Sequence, residues 1–183
     1  MNTVFMNRLM QIVNLLNALG IVLILLMAFV FQFVFKELPC PLCLLQRAGF
    51  LITAIGFLLN LRFGLRPSHY ALSLLGALFT AFVALQQIAL HVLPGSGGYG
   101  SSIFGLHMYT WSFIISMAIV LFNTMILGVD TQYQKEKRHI AVIKPIMHAV
   151  FGLLFFLALT NCIAIMAECG LKACPDNPTA YLW

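Results

Sequence analysis

Charge is scarce in this chain. Of its 183 residues only 8% are Asp, Glu, Lys or Arg, whereas 62% are hydrophobic. A soluble domain is about 25% charged and about 45–50% apolar, and it uses the charged side chains to coat its surface. That shortage excludes a soluble cytosolic enzyme, a disordered tail and a nucleic-acid-binding domain. Acidic residues are scarcest, five against ten basic ones, giving a net charge of +5. Such an excess would suit a polyanion partner, but the basic residues sit in short clusters between long apolar runs, as they do where charge orients a membrane protein. Cysteine is also sparse: five residues are too few for a disulfide-dense scaffold. No linker or composition shift divides the chain and no internal repeat is evident, so it reads as one integral membrane domain, residues 1–183.

What is present is apolar length. A bilayer core of roughly 30 Å needs about 20 apolar residues in helical form. Five segments suffice: Ile12–Phe35, Leu42–Leu61, Tyr70–Leu93, Tyr109–Gly128 and Ile146–Met166, followed by a tail over 167–183. The first run, 24 residues, exceeds the ~7–15 of a signal peptide and has no small-residue cleavage site after it, so it reads as a retained span. Pro39 likewise argues against lipidation of Cys40, since a small residue is expected at that position. The fold class is therefore an all-α membrane protein, a four-helix transmembrane bundle plus a fifth transmembrane helix. Gly20, Gly49, Gly56, Gly76 and Gly152 are read as points of close helix approach. The nine Met and 16 Phe are read as packing and lipid contact.

Orientation follows from the basic residues. Arg8, Arg62, Arg66, Lys135, Lys137, Arg138 and Lys144 fall on one side; Lys36, Arg47 and Lys172 fall on the other. Seven against three puts the N-terminus in the cytoplasm, and five spans then put the C-terminus outside, in the periplasm of a Gram-negative cell. The odd number of spans brings Cys169 and Cys174 to the side that holds Cys40 and Cys43.

The run Leu38-Pro39-Cys40-Pro41-Leu42-Cys43-Leu44-Leu45-Gln46-Arg47 opens the second span. Unpaired N–H groups and the positive end of the helix dipole favour a thiolate there. Pro41 suits a first turn, where its missing N–H leaves no bond unmade. Arg47 lies four residues after Cys43, on the same helix face. An arginine within a span by default marks a functional site; the plainer alternative is a snorkelling anchor. A zinc site would need a second ligand pair, and Cys169/Cys174 is not a CxxC, so no metal is expected.

This motif resembles that of the disulfide bond formation protein B (DsbB) family. The resemblance covers roughly residues 10–128, with a fainter match at Gly105-Leu106-His107-Met108-Tyr109-Thr110-Trp111. It implies a quinone-dependent thiol oxidase of the bacterial inner membrane, multi-pass, with its active site facing the periplasm. Such an enzyme reoxidises a periplasmic thioredoxin-fold thiol oxidant of the DsbA type and passes the electrons to ubiquinone or menaquinone. The resemblance also implies that Cys40 and Cys43 are the quinone-proximal pair, with Cys43 nearest the ring and Arg47 in contact with it. Gln87, Leu90, His91 and Pro94 resemble a stretch that borders the quinone site.

Two departures mark an atypical member. The loop 94–108 has no cysteine, although family members usually carry their second, partner-facing pair there. The chain instead has a fifth span and a tail bearing Cys169 and Cys174, five residues apart, with Gly170 available for a tight turn. The second pair is thus expected to have moved to the tail; the alternatives are a static clip and a non-enzymatic subunit with fixed disulfides. Cys162, within the fifth span, is read as packing. His91 is read either as a quinone ligand or as an interface residue. A bis-histidine haem from His91 and His107 is disfavoured because His107 lies too far out.

Overall fold

In the computed structural model, the residues described are 3–92, 98–133, 143–172, 174 and 180–181. Five helices are long and apolar enough to cross a membrane. They are α1 (Thr3–Phe33), α2 (Pro41–Phe63), α3 (Pro67–His91), α4 (Met108–Leu127) and α5 (Ile143–Cys169). Pro41 and Pro67 start α2 and α3, positions where a missing N–H costs nothing. Gly64 (φ 91°) ends α2 in a conformation that only glycine adopts freely. The lipid-facing sides are apolar, for example at Leu75, Phe82 and Phe155, each more than half exposed.

The close seam of the bundle lies between α2 and α3. A Cβ at Gly76 would come 2.6 Å from the Thr53 backbone nitrogen, and one at Gly56 would come 2.6 Å from that of Ser73. Gly49 is similarly tight against Thr80 and the Gly76 carbonyl. Gly20 and Gly152 have nothing within 4 Å, so the expectation of close packing is corrected at those two positions. Helix α4 packs on α3, whereas α5 packs on α2 and α1.

Two features were not expected. The segment before α4 contains a small antiparallel hairpin, β1 (Ser102–Ile103) with β2 (Leu106–His107), turned by Phe104 and Gly105 at positive φ. Helix α5 also runs on through Glu168 and Cys169, residues the sequence reading assigned to the tail. Cys162 is exposed on the outside of α5, which corrects its reading as a packed core residue. Asn161 and Ala164 take the bundle face, and residue 162 is about 100° away from Asn161 around the helix. Lys135, Lys137 and Arg138, used in the charge count, lie outside the described residues.

Candidate active site

Cys40 is the N-cap of α2, and its Sγ accepts the Cys43 backbone N–H at 3.2 Å. The cap thus turns a CxxC into a local structure: Pro41 fixes the first turn and both sulfurs lie at the helix mouth. Gln87 of α3, fully buried, reaches across the seam. Its Nε2 donates to Cys40 Sγ at 3.2 Å and to Cys43 Sγ at 3.5 Å, and its Oε1 accepts from Gln46 Nε2 at 2.7 Å. Gln87 therefore holds the sulfurs directly. The side-chain hydrogen bond with Cys43, then burial and the charge of Cys43, push the Cys40 thiol well above its ordinary range.

Arg47 is buried one turn below Cys43. Its Nη1 donates to Gln32 Oε1 at 2.5 Å and its Nη2 to the Ala28 carbonyl at 3.1 Å, while the guanidinium lies 4.7 Å from the centre of the Phe29 ring. These contacts to α1 are more than a snorkelling side chain would make. Gln32 in turn donates to the Tyr181 hydroxyl at 3.1 Å, so the end of the chain returns to the arginine through one glutamine.

Cys43 and Arg47 line a narrow cleft with an open mouth. Its walls are apolar where Ile24, Leu25, Phe31 and Phe50 contribute, and polar at Tyr99 and Tyr109. The stretch between α1 and α2 and the hairpin segment are tied together over the cleft. Tyr99 donates to the Leu38 carbonyl at 2.6 Å, and Glu37 accepts from the Ser101 backbone and hydroxyl. Burial, followed by the charges of Cys40 and Cys43, raises the Tyr99 phenol above its ordinary value, which keeps it a donor.

His91 is not among the residues lining this cleft. Its Nδ1 sits 2.9 Å from the Gln87 carbonyl, and its ring stacks on Tyr109 at 5.5 Å, so it meets the cleft through Tyr109. His107 stacks on the same tyrosine at 5.3 Å. Pro94 lies outside the described residues.

Cys169 and Cys174 are joined as a disulfide with Cα atoms 4.5 Å apart. Gly170, at φ 57°, makes the turn that the spacing suggested. The two sulfurs differ in access: Cys169 is buried in the last turn of α5, while Cys174 is half-buried. The end of α5 lies at the same end of the bundle as Cys40, because Asn161 Nδ2 reaches the Leu44 carbonyl of α2 at 3.5 Å and Tyr181 reaches Gln32.

Sequence reasoning missed Gln32, Gln46, Tyr99 and Glu168. The signal was available for two of them: Gln32 and Gln46 are polar residues inside spans, whereas Glu168 fell in the stretch read as tail. Tyr99 lay in a loop that carried no pattern.

No curated protein and no solved structure matches the chain significantly. A family model, "Disulfide bond formation protein DsbB", matches residues 10–99. That range holds most of α1, all of α2 and α3, and the Cys40–Cys43 pair. The fainter likeness over residues 105–111 falls outside it, as do α4, α5 and the Cys169–Cys174 disulfide. Over residues 10–99, this five-helix membrane chain matches the DsbB family of disulfide-forming oxidoreductases.

Proposed function

We propose that the protein is a quinone-dependent thiol oxidase that recharges a thioredoxin-fold dithiol oxidant in the periplasm. In this reading the N-terminus is cytoplasmic, the Cys40 end of the bundle faces the periplasm, and the membrane is the bacterial inner membrane. The observation that carries it is the juxtaposition, at one mouth of the bundle, of the capped Cys40–Cys43 pair, the buried Arg47 beside an apolar cleft, and the Cys169–Cys174 disulfide.

The cleft fits a quinone ring by its donor set. Arg47 has five N–H donors, and two are used by Gln32 and Ala28, so others remain for a ring oxygen. The apolar walls at Ile24, Leu25, Phe31 and Phe50 suit the ring and the start of an isoprenoid chain. A bound ubiquinone or menaquinone supplies a two-electron acceptor reached from within the bilayer.

The chain's own residues do the remaining work. Cys174, the more accessible tail sulfur, is the one the partner thiolate attacks, which frees Cys169. Cys169, facing inward, then exchanges with Cys40, leaving Cys43 as the sulfur that lines the cleft. Gln87 and the helix N-terminus hold the two sulfurs in register. His91 steadies Tyr109 at the cleft wall.

The test is replacement of Cys169 and Cys174 by serine, separately and together, in the full-length protein. Quinone reduction driven by a reduced DsbA-type protein is expected to fall to background while Cys40 and Cys43 stay reactive to alkylation. Turnover at the parent rate would sink the role given to the tail pair.

A further inference from the structure

Glu168 is the only acidic residue inside any of the five spans. A carboxylate in such a segment is costly and is retained where it has work to do. Asn161, Ala164 and Glu168 share the buried face of α5. Asn161 touches the Leu44 carbonyl, and seven residues of helix, about 10 Å, carry Glu168 from there to the mouth where Cys40 and Cys43 sit.

Its surroundings are unusual for a structural carboxylate. Glu168 is 2% exposed, and its Oε1 has no hydrogen-bond partner. A group placed to anchor Arg47 would be bonded to it, yet the guanidinium bonds to Gln32 and to the Ala28 carbonyl instead. Glu168 remains within electrostatic reach of Arg47 and Cys43 on α2 and of Tyr99 beside the hairpin. Helix α1, the other helix packed on α5, brings no titratable side chain to its last three turns. In sequence Glu168 directly precedes Cys169, the inward sulfur of the tail disulfide.

Exchange between the two cysteine pairs needs a group with these properties. An attacking thiol must lose its proton and a leaving thiolate must gain one, in a place closed to water. We propose that Glu168 carries the protons between the Cys169–Cys174 pair and the Cys40–Cys43 pair. The inference rests on the relay proposed above. Once a partner dithiol has reduced the tail disulfide, Cys169 gives its proton to Glu168 and attacks Cys40. The Cys40–Cys43 bond breaks, and Cys43 leaves as a thiolate. Cys174 then attacks Cys169, which re-forms the tail disulfide and releases Cys40. Two electrons and two protons have passed from Cys169 and Cys174 to Cys40 and Cys43, each proton taken up by Glu168 on the tail side and returned on the other.

The experiment uses quinone-depleted full-length protein with one equivalent of dithiothreitol as reductant. Quenched alkylation and mass spectrometry follow the loss of tail thiols and the gain of Cys40 and Cys43 thiols across about pH 5–8. Glu168→Gln, which keeps the shape, is expected to slow transfer on the order of a hundredfold and to flatten its pH dependence, while Glu168→Asp keeps that dependence. Parent-like transfer and pH profile in Glu168→Gln would overturn the proposal. A second reading needs no variant: time-resolved infrared difference spectra of the parent protein, taken during transfer, are expected to contain a transient carboxyl C=O band, and its absence would overturn the proposal too. The relay itself fails differently. In that case the Cys169→Ser/Cys174→Ser protein would reduce Cys40–Cys43 as fast as the parent, whatever residue 168 is.

Discussion

The two ends of the bundle arrange their buried polar groups differently. Toward the Arg62 end, Asn14 donates to the Tyr70 hydroxyl at 2.7 Å and accepts from Asn60 at 3.0 Å, and Asn60 in turn accepts the Arg66 backbone N–H at 3.1 Å. These bonds tie α1, α2 and α3 together, although the Tyr133 hydroxyl beside Tyr70 and the Gln132 Oε1 have no partner. At the Cys40 end, Gln32, Gln46, Arg47, Gln87 and Glu168 are just as buried, but the set stays open. Arg47 keeps free donors beside a cleft, and Glu168 keeps an unbonded oxygen. A satisfied network rigidifies a fold, whereas an unsatisfied one is tolerated where a ligand or a proton completes it. One end ties the helices together, and the other holds the groups to which the proposal gives the chemistry.

Breaking the open end should cost function and leave the fold in place. Arg47→Ala removes the donors facing the cleft, and hydrogen bonds to charged groups are worth about 1.5–3 kcal/mol. The KM for a soluble quinone analogue is expected to rise roughly 10- to 100-fold, with thermal unfolding in detergent little changed. Steady-state kinetics against quinone concentration check this, and parent-like kinetics would remove Arg47 from the site.

Breaking the closed end should do the reverse. Asn60→Leu keeps the branched heavy-atom skeleton but strands Asn14 Oδ1 and the Arg66 N–H. Hydrogen bonds inside membrane bundles are individually weak, so a loss of roughly 1–2 kcal/mol of stability is expected. Dithiol-driven reduction of Cys40–Cys43 should proceed at the parent rate. A fall in that rate without a fall in unfolding temperature would mean that the two ends are coupled.

The sequence made these ends unequally legible. The five helices follow from apolar length alone, because a bilayer leaves backbone few options. Cys40, Cys43 and Arg47 stood out through spacing, and Gln87 through resemblance; the structure puts Gln87 on both sulfurs. What stayed hidden depends on where a helix stops and which way it faces. The last turn of α5 was taken for tail, so Glu168 and Cys169 were read as loop residues instead of parts of a buried face. Cys162 shows the same gap: hydropathy cannot tell the lipid side of a helix from its bundle side, since both are apolar. The Tyr99 and hairpin contacts over the cleft join residues some 60 positions apart, which no local pattern encodes.

The smallest expected effect is a titration that sharpens the open end without any mutation. The hydrogen bond with Cys43, burial and the neighbouring charge all favour the neutral form of Cys40. Raising a thiol pKa moves its thiolate to higher pH, and only the thiolate reacts with an alkylating reagent. In the reduced protein, Cys40 alkylation should therefore keep rising well beyond about pH 8.5, where an ordinary cysteine approaches its plateau. Burial alone would slow the reaction by the same factor at every pH, so the shape of the curve separates restricted access from ionisation. Linkage sets the companion sign. The folded state holds the Cys40 proton more tightly than the unfolded chain does, so the contribution of Cys40 to the stability of the reduced protein is full below about pH 8.5 and is lost as pH rises further. A rate that levels off near the ordinary thiol pKa would show that Cys43 and burial do not hold the Cys40 proton. The cap would then position the sulfurs without tuning them.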